Sequence, residues 1–231
     1  MSDNLQLSSL PLFPLGSVLF PGGLLPLRIF EVRYLDMIGK CHKHGAPFGV
    51  VSLTQGGEVQ RPAGAAGELN TSSAATEQGT SSGFAVESFN SVGTLATITE
   101  LESPQPGLLV IRCVGLQRFE ISRKERLKHG LWVADVQRVA DDQVISIPDD
   151  LKAVATALGG VIKTLRARGM PPDQMPLVEP YLLEDCAWVA NRWCELLPMS
   201  PEAKQRLMVL DNPLVRLELV SDMLQRAGIA I

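Results

Sequence analysis

The spacing of apolar and polar positions changes several times along the chain. Within Leu10–Tyr34, short apolar runs alternate with prolines and glycines. Each proline lacks a backbone donor and fixes φ, so these runs cannot form a continuous helix and are typical of short extended segments. Apolar residues then recur at helical spacing: Phe30, Tyr34, Met37, Ile38 and Cys41. The pattern predicts strand, turn, strand and then one amphipathic helix that stops at Gly45.

Strand-like patterns dominate the middle of the chain. Phe48–Leu53 is a short β-rich run, and further strands are predicted over residues 84–89, 92–101, 108–114, 115–121 and 132–139. Leu108–Val114 is nearly all apolar and is predicted to be a central strand buried on both faces. The candidate core residues that follow it are Leu116, Phe119 and Ile121. Short turns between the strands predict an antiparallel sheet curled into a partly closed barrel.

One segment between these strands has a different composition. Thr54–Gly83 is rich in small and polar residues and has almost no large apolar side chains; the exceptions are Val59 and Leu69. Such a segment buries too little apolar surface to offset the entropy lost on ordering. We therefore expect a long mobile loop, for which disorder is the simpler interpretation and a functional role the alternative.

Helical periodicity returns in the last third of the chain. Pro148 with two aspartates after it is a helix-start signal, and the apolar spacing that follows predicts a helix up to Gly169. Three more helices are predicted at about Leu182–Leu197, from Ser200-Pro201 to about Leu210, and from Asp211-Asn212-Pro213 to Gly228. The predicted boundary separates a β-rich subdomain, residues 1–145, from a helical subdomain, residues 146–231.

Composition and charge narrow the classes of function. The chain has 231 residues, of which 45% are hydrophobic, so it can form a substantial core. Its formal charge of −4 and pI near 5.4 argue against a broad phosphate-binding surface. We expect no signal peptide, because no positive charge precedes the first apolar run and prolines interrupt that run. No apolar segment of the sequence is near the length of a membrane span. The four dispersed cysteines are expected to be reduced and buried, so we predict a cytoplasmic protein.

Four separated segments resemble one protein family, in the same order along the chain. They are PLFPLGSVLFPG with LPLRIFEVRY, VGTLATITE (Val92–Glu100), GLQRFEI (Gly115–Ile121) and KQRLMVLDNPLVRLELV (Lys204–Val220). On these motifs the chain resembles the Lon protease N-terminal (substrate-binding) domain family, as a stand-alone member. Two segments depart from the family pattern: residues 54–83 are expanded, and Ser103–Gly107 stands in place of an Asp-Gly turn.

The resemblance implies an α+β fold in which a PUA-like, partly closed β-rich barrel with one helix precedes a C-terminal helical bundle. It also implies that the chain binds polypeptide substrates or protein partners in protein quality control. No nucleic acid, membrane or cofactor is expected as a partner. The alternative is a PUA-like RNA-binding module, against which the acidic composition argues.

We find no motif for catalysis in the sequence. Gly39-Lys40 is followed by Cys41 and position 34 is Tyr, so the phosphate-binding Gly-x4-Gly-Lys-Ser/Thr motif is not formed. We therefore predict a non-enzyme without catalytic residues; a hydrolase using Cys41 or His44 has no base–nucleophile pair to support it. Cys41-His42-Lys43-His44 suggests a metal site only weakly, because its side chains point in different directions at a helix end.

The candidate partner-binding residues are Arg28, Glu31, Arg33, Tyr34 and Trp132. An aromatic side chain beside charged neighbours suits a partly exposed contact surface. For Arg28, Glu31 and Arg33 the alternative is that they brace the first helix against the barrel, and the sequence leaves both interpretations open.

Overall fold

The computed structural model describes residues 6–57, 86–171, 174–229 and 231. These residues form seven strands: β1 (Gln6–Leu15), β2 (Leu24–Ile29), β3 (Phe48–Gln55), β4 (Ser88–Phe89), β5 (Val92–Gln105), β6 (Leu108–Arg126) and β7 (Trp132–Arg138). The α-helices are α1 (Val32–His44), α2 (Lys152–Ala167), α3 (Cys186–Leu196), α4 (Pro201–Met208) and α5 (Pro213–Arg226). No helix among the described residues has the length and apolar character needed to cross a membrane.

The strands form a ring with two extensions. β1, β7, β6, β5 and β3 pair in that order, and a parallel pairing between β3 and β1 closes the ring. All other pairings are antiparallel. The long strand β6 pairs with β5 along one edge, while its other edge pairs first with β2 and then with β7. The predicted sheet that curls on itself is therefore present, but the prediction that it is antiparallel throughout is wrong, because β1 and β3 pair in parallel. Strand β2 extends the wall beyond the ring.

Phe119 fills the interior of this ring. Its side chain is fully buried, and a Cβ added at Gly49 or Gly93 would lie 2.8 or 2.7 Å from the Phe119 Cζ atom. The two glycines therefore make room for the aromatic ring.

The prediction that Leu116 also belongs to the core is wrong, because 41% of this residue is exposed. A register shift gives β6 one extra residue between Gly115 and Arg118, and this bulge changes which side chains face inward.

Helix α1 packs on the barrel through the predicted apolar stripe, which includes Tyr34, Met37, Ile38 and Cys41. It ends as predicted, because Gly45 adopts the left-handed conformation with φ of 59°. Phe30 does not belong to the stripe. It precedes the helix, and 56% of it is exposed.

Helices α2 to α5 share one apolar core, to which the β-rich part contributes Phe20. The Ser200 and Asn212 side chains cap α4 and α5, which begin with Pro201 and Pro213, as predicted. Helix α3 begins four residues later than predicted. The reason is Asp185, whose side chain accepts a hydrogen bond from the Trp188 backbone N–H at 2.7 Å.

The predicted loop over residues 54–83 falls largely outside the described residues. Its first two residues belong to β3, which continues to Gln55, so the predicted start of the loop is too early. The sequence predicts a strand over residues 84–89. Its described residues, 86–89, include β4 (Ser88–Phe89).

Candidate functional site

The outer face of β2 and of the first half of β6 is only partly covered. Ile111 and Cys113 face the core, whereas Val110 and Val114 are half buried, since successive side chains of a strand point to opposite faces. Together with Leu24, these two valines belong to none of the three apolar clusters of the described residues. The prediction that Leu108–Val114 is buried on both faces is therefore wrong, because the helical part does not close over it.

Two adjoining cavities lie over this strand face. One has a volume of about 740 Å³ and extends from the β1–β2 connection to α3 and α4. The other has a volume of about 570 Å³ and extends to the end of α2 and the segment before α3. Leu24, Arg112 and Met175 line both cavities, so the two adjoin, and together they are here called the β2–β6 groove. Its other apolar lining residues include Val18, Pro26, Val110, Val114, Pro176, Val178 and Leu196.

Charged side chains lie at both ends of the β2–β6 groove. At the α2 end, Arg166 pairs with Glu179, and the Arg112 Nε atom is 3.9 Å from a Glu100 carboxylate oxygen. At the α3 end, Lys204 Nζ donates a hydrogen bond to the Glu195 backbone carbonyl at 3.1 Å. The groove therefore combines apolar walls with a few placed charges, which is the usual character of a binding site.

Glu195 is held at the groove by a buried arginine. Its Oε1 atom accepts a hydrogen bond from Arg192 Nη2 at 2.9 Å, and Arg192 also donates to the carbonyls of Pro21 and Gly22. A side chain at Gly23 would collide with the Glu195 carboxylate, so this glycine permits the approach. Burial raises the pKa of Glu195 to about 7, although Arg192 and Lys204 act in the opposite direction.

Four of the five residues predicted from sequence meet around Glu87. Glu87 Oε2 accepts a hydrogen bond from Trp132 Nε1 at 2.8 Å, and Glu87 Oε1 lies 3.5 Å from Arg33 Nη2. Arg33 Nε donates to Glu31 at 3.1 Å, and the guanidinium carbon lies 4.3 Å from the Tyr34 ring centroid. This geometry is that of a brace between α1 and the barrel. The sequence did not indicate Glu87, because nothing local marks a lone carboxylate as the partner of these residues.

Tyr34 and Arg33 are buried, with 3% and 6% of each residue exposed. The expectation that Tyr34 is partly exposed is wrong, because its ring stacks on Phe13 with the centroids 4.0 Å apart. Burial also raises the pKa of Tyr34 above its ordinary value. Arg28 is exposed, and it lines a cavity of about 160 Å³ with Glu31 and the exposed Phe30.

The Cys41-His42-Lys43-His44 segment lies at the end of α1, with Cys41 buried and both histidines exposed. Within the described ranges, no group of three or more His, Cys, Asp or Glu side chains is placed to hold a metal ion. The four cysteines are buried and free.

Comparison with known proteins identifies the family of this fold. The family model of the ATP-dependent protease La (LON) substrate-binding domain matches residues 9–226. The chain belongs to this family. The motifs that indicated it lie on β1 to α1, β5, β6 and α4 to α5.

Solved structures agree with this assignment. The crystal structure of a Lon N-terminal domain protein from Xanthomonas campestris is 29% identical to this chain with a TM-score of 0.67, and the match covers 94% of this chain and 98% of that one. The N-terminal domain of a Mycobacterium avium complex Lon protease is 15% identical with a TM-score of 0.53 and shares the fold; the match covers 93% and 96% of the two chains. The search of curated proteins gave no match.

Proposed function

We propose that this chain is a non-enzymatic recognition module that binds segments of polypeptide in the β2–β6 groove. The observation that carries this proposal is the set of half-buried apolar residues on a partly covered strand face, Leu24, Val110 and Val114. The substrate class comes from membership of the substrate-binding domain family. A role in protein quality control in the cytoplasm, and a PUA-like fold of the β-rich part, are included in the proposal.

The groove suits an extended, apolar segment rather than a nucleic acid. Each of its two cavities has a volume typical of ligand sites, roughly 300–1,000 Å³. Its arginines Arg112 and Arg166 already face the carboxylates of Glu100 and Glu179. We therefore expect micromolar or weaker binding, at most about 8 kcal/mol, with little dependence on salt.

Binding of a fluorescently labelled unfolded protein, followed by anisotropy at low and high salt, tests this function. Leu24→Ser and Val110→Ser should each weaken binding severalfold, because each removes apolar surface that the bound segment would cover. The matched controls are Leu219→Ser and Val144→Ser, which alter exposed residues that line no cavity described here. Equal losses in variants and controls, or a preference for RNA that collapses with salt, would overturn the proposal.

The residues predicted from sequence form a second part of the proposal. Arg28 is the member that we propose to touch a partner directly. Glu31 and Tyr34 line the same small cavity as Arg28, whereas Arg33 and Trp132 support this part of the barrel through Glu87. Arg28→Ala should weaken binding of the labelled protein at unchanged melting temperature. Arg123→Ala is the matched control, since its side chain is 74% exposed elsewhere on the barrel.

A further inference from the structure

The two ends of the β2–β6 groove differ in how their cations are neutralised. At the α2 end, Arg112 and Arg166 each face a carboxylate. At the α3 end, Lys204 has no carboxylate oxygen within 4.0 Å of its ammonium group in the described part of the chain. Its hydrogen bond goes to the backbone carbonyl of Glu195 instead. An ammonium group carries three donors, so this contact leaves two of them for a ligand.

The Glu195 carboxylate makes its direct hydrogen bond with another cation and acts on Lys204 only at longer range. Its Oε1 atom accepts the hydrogen bond from Arg192, of which only 1% is exposed. Glu195 is also the one acidic residue in the lining of the larger cavity, where Arg112 and Lys204 are the cations. Because Arg112 is paired with Glu100, the charges specific to this end are two cations, Arg192 and Lys204, and one carboxylate, Glu195. The elevated pKa of Glu195 reduces its negative charge further near neutral pH.

We propose that the β2–β6 groove prefers an apolar polypeptide segment that carries one acidic side chain, and that Lys204 binds the carboxylate of this side chain. This inference rests on the function proposed above and adds the charge of the preferred segment. The apolar residues Val18, Pro26 and Leu196 line the same cavity as Lys204. A neighbouring apolar wall excludes water from the ion pair, and a partly desolvated pair is stronger than an exposed one.

Three short peptides of one apolar sequence test the preference. The first has a central Glu and an amidated C-terminus, the second has Gln in place of Glu, and the third is the Gln peptide with a free C-terminal carboxylate. The parent protein should bind the Glu peptide about fivefold more tightly than the amidated Gln peptide. Lys204→Met should abolish this ratio. Lys40→Met, which removes an exposed lysine from α1, should preserve it.

The possible results distinguish the preference for an acidic side chain from the proposed binding in the β2–β6 groove, on which that preference rests. Equal binding of the Glu and amidated Gln peptides to the parent would overturn the charge preference and leave the groove function standing. A gain seen only with the free C-terminus would overturn the assignment to a side chain. Failure of all three peptides to bind would overturn both. The parent comparison needs no variant, so it remains decisive if Lys204→Met does not fold.

Discussion

Replacing Asp142 with Ala should strongly destabilise the protein. Asp142 lies between β7 and α2, and its carboxylate accepts hydrogen bonds from two arginines. Arg118 Nη2 of β6 donates to Oδ1 at 3.0 Å, and Arg216 Nη1 of α5 donates to Oδ2 at 2.6 Å. The side chains of Arg118 and Arg216 are only 4% and 1% exposed. This network therefore joins the barrel to the helical bundle through buried charges.

The expected loss of unfolding free energy follows from the two buried arginines that Asp142→Ala leaves without their shared carboxylate. Removing one partner of a buried ion pair typically costs about 3–5 kcal/mol, because the remaining charge stays buried without compensation. Arg118 would retain the Asp211 carboxylate at 3.2 Å, and Arg216 would retain Asn191 Oδ1 at 2.9 Å, which places the loss toward the lower end. At about 3 kcal/mol, the melting temperature of a chain of this size should fall by roughly 6–12 °C.

Urea unfolding followed by far-ultraviolet circular dichroism measures the free energy of unfolding of this variant. The control is Asp36→Ala, which breaks an ion pair with Lys40 whose side chains are 63% and 70% exposed. That substitution should cost at most about 1 kcal/mol. If Asp142→Ala cost no more than Asp36→Ala, the buried network would not hold the two parts together and the reasoning would be refuted.

Three further predictions concern the burial of Phe20, the dependence of the helical part on the rest of the chain, and the pKa of Glu195. Phe20→Ala should cost about 3–5 kcal/mol in the same unfolding assay, because the ring is fully buried in the helical core; a loss under 1 kcal/mol would contradict this packing. A fragment of residues 147–231 lacks Phe20 and Asp142, so it should melt well below the full chain in calorimetry, and equal melting temperatures would show that the helical part is independent. For Glu195→Gln, the free energy of unfolding relative to the parent should rise between pH 4.5 and 7. Parental Glu195 has a folded pKa raised from 4.5 to about 7 and therefore loses stabilisation as pH increases, whereas Gln does not titrate; a difference that stays constant with pH would refute the elevated pKa.

Features encoded locally could be predicted from the sequence. Ser200 and Asn212 cap their helices, and Gly45 ends α1, because each of these roles depends on a side chain or backbone conformation within a few residues. The order of strands before helices could also be predicted, because the spacing of apolar residues changes from strand-like to helical within the sequence itself. The late start of α3 shows the limit of this approach, since the stronger cap at Asp185 overrides the apolar residues before it.

Features that depend on distant segments could not be predicted. The apolar run Leu108–Val114 specifies a strand, but only the placement of the helical part decides that one of its faces stays partly open. Asp142 pairs with residues 24 and 74 positions away, and neither separation leaves a periodic signal. The exposure of Leu116 follows from a bulge whose extra residue is visible only in the pairing with β5.

A site-specific cross-link tests most directly whether the β2–β6 groove binds polypeptide. Val110, inside the groove, and Val144, 90% exposed outside it, would each be replaced by a photo-reactive amino acid and irradiated with the same unfolded protein. We predict a cross-linked product from position 110 that excess unlabelled unfolded protein suppresses, and little product from position 144. Equal yields from the two positions, or a yield at position 110 that does not respond to competitor, would contradict the account.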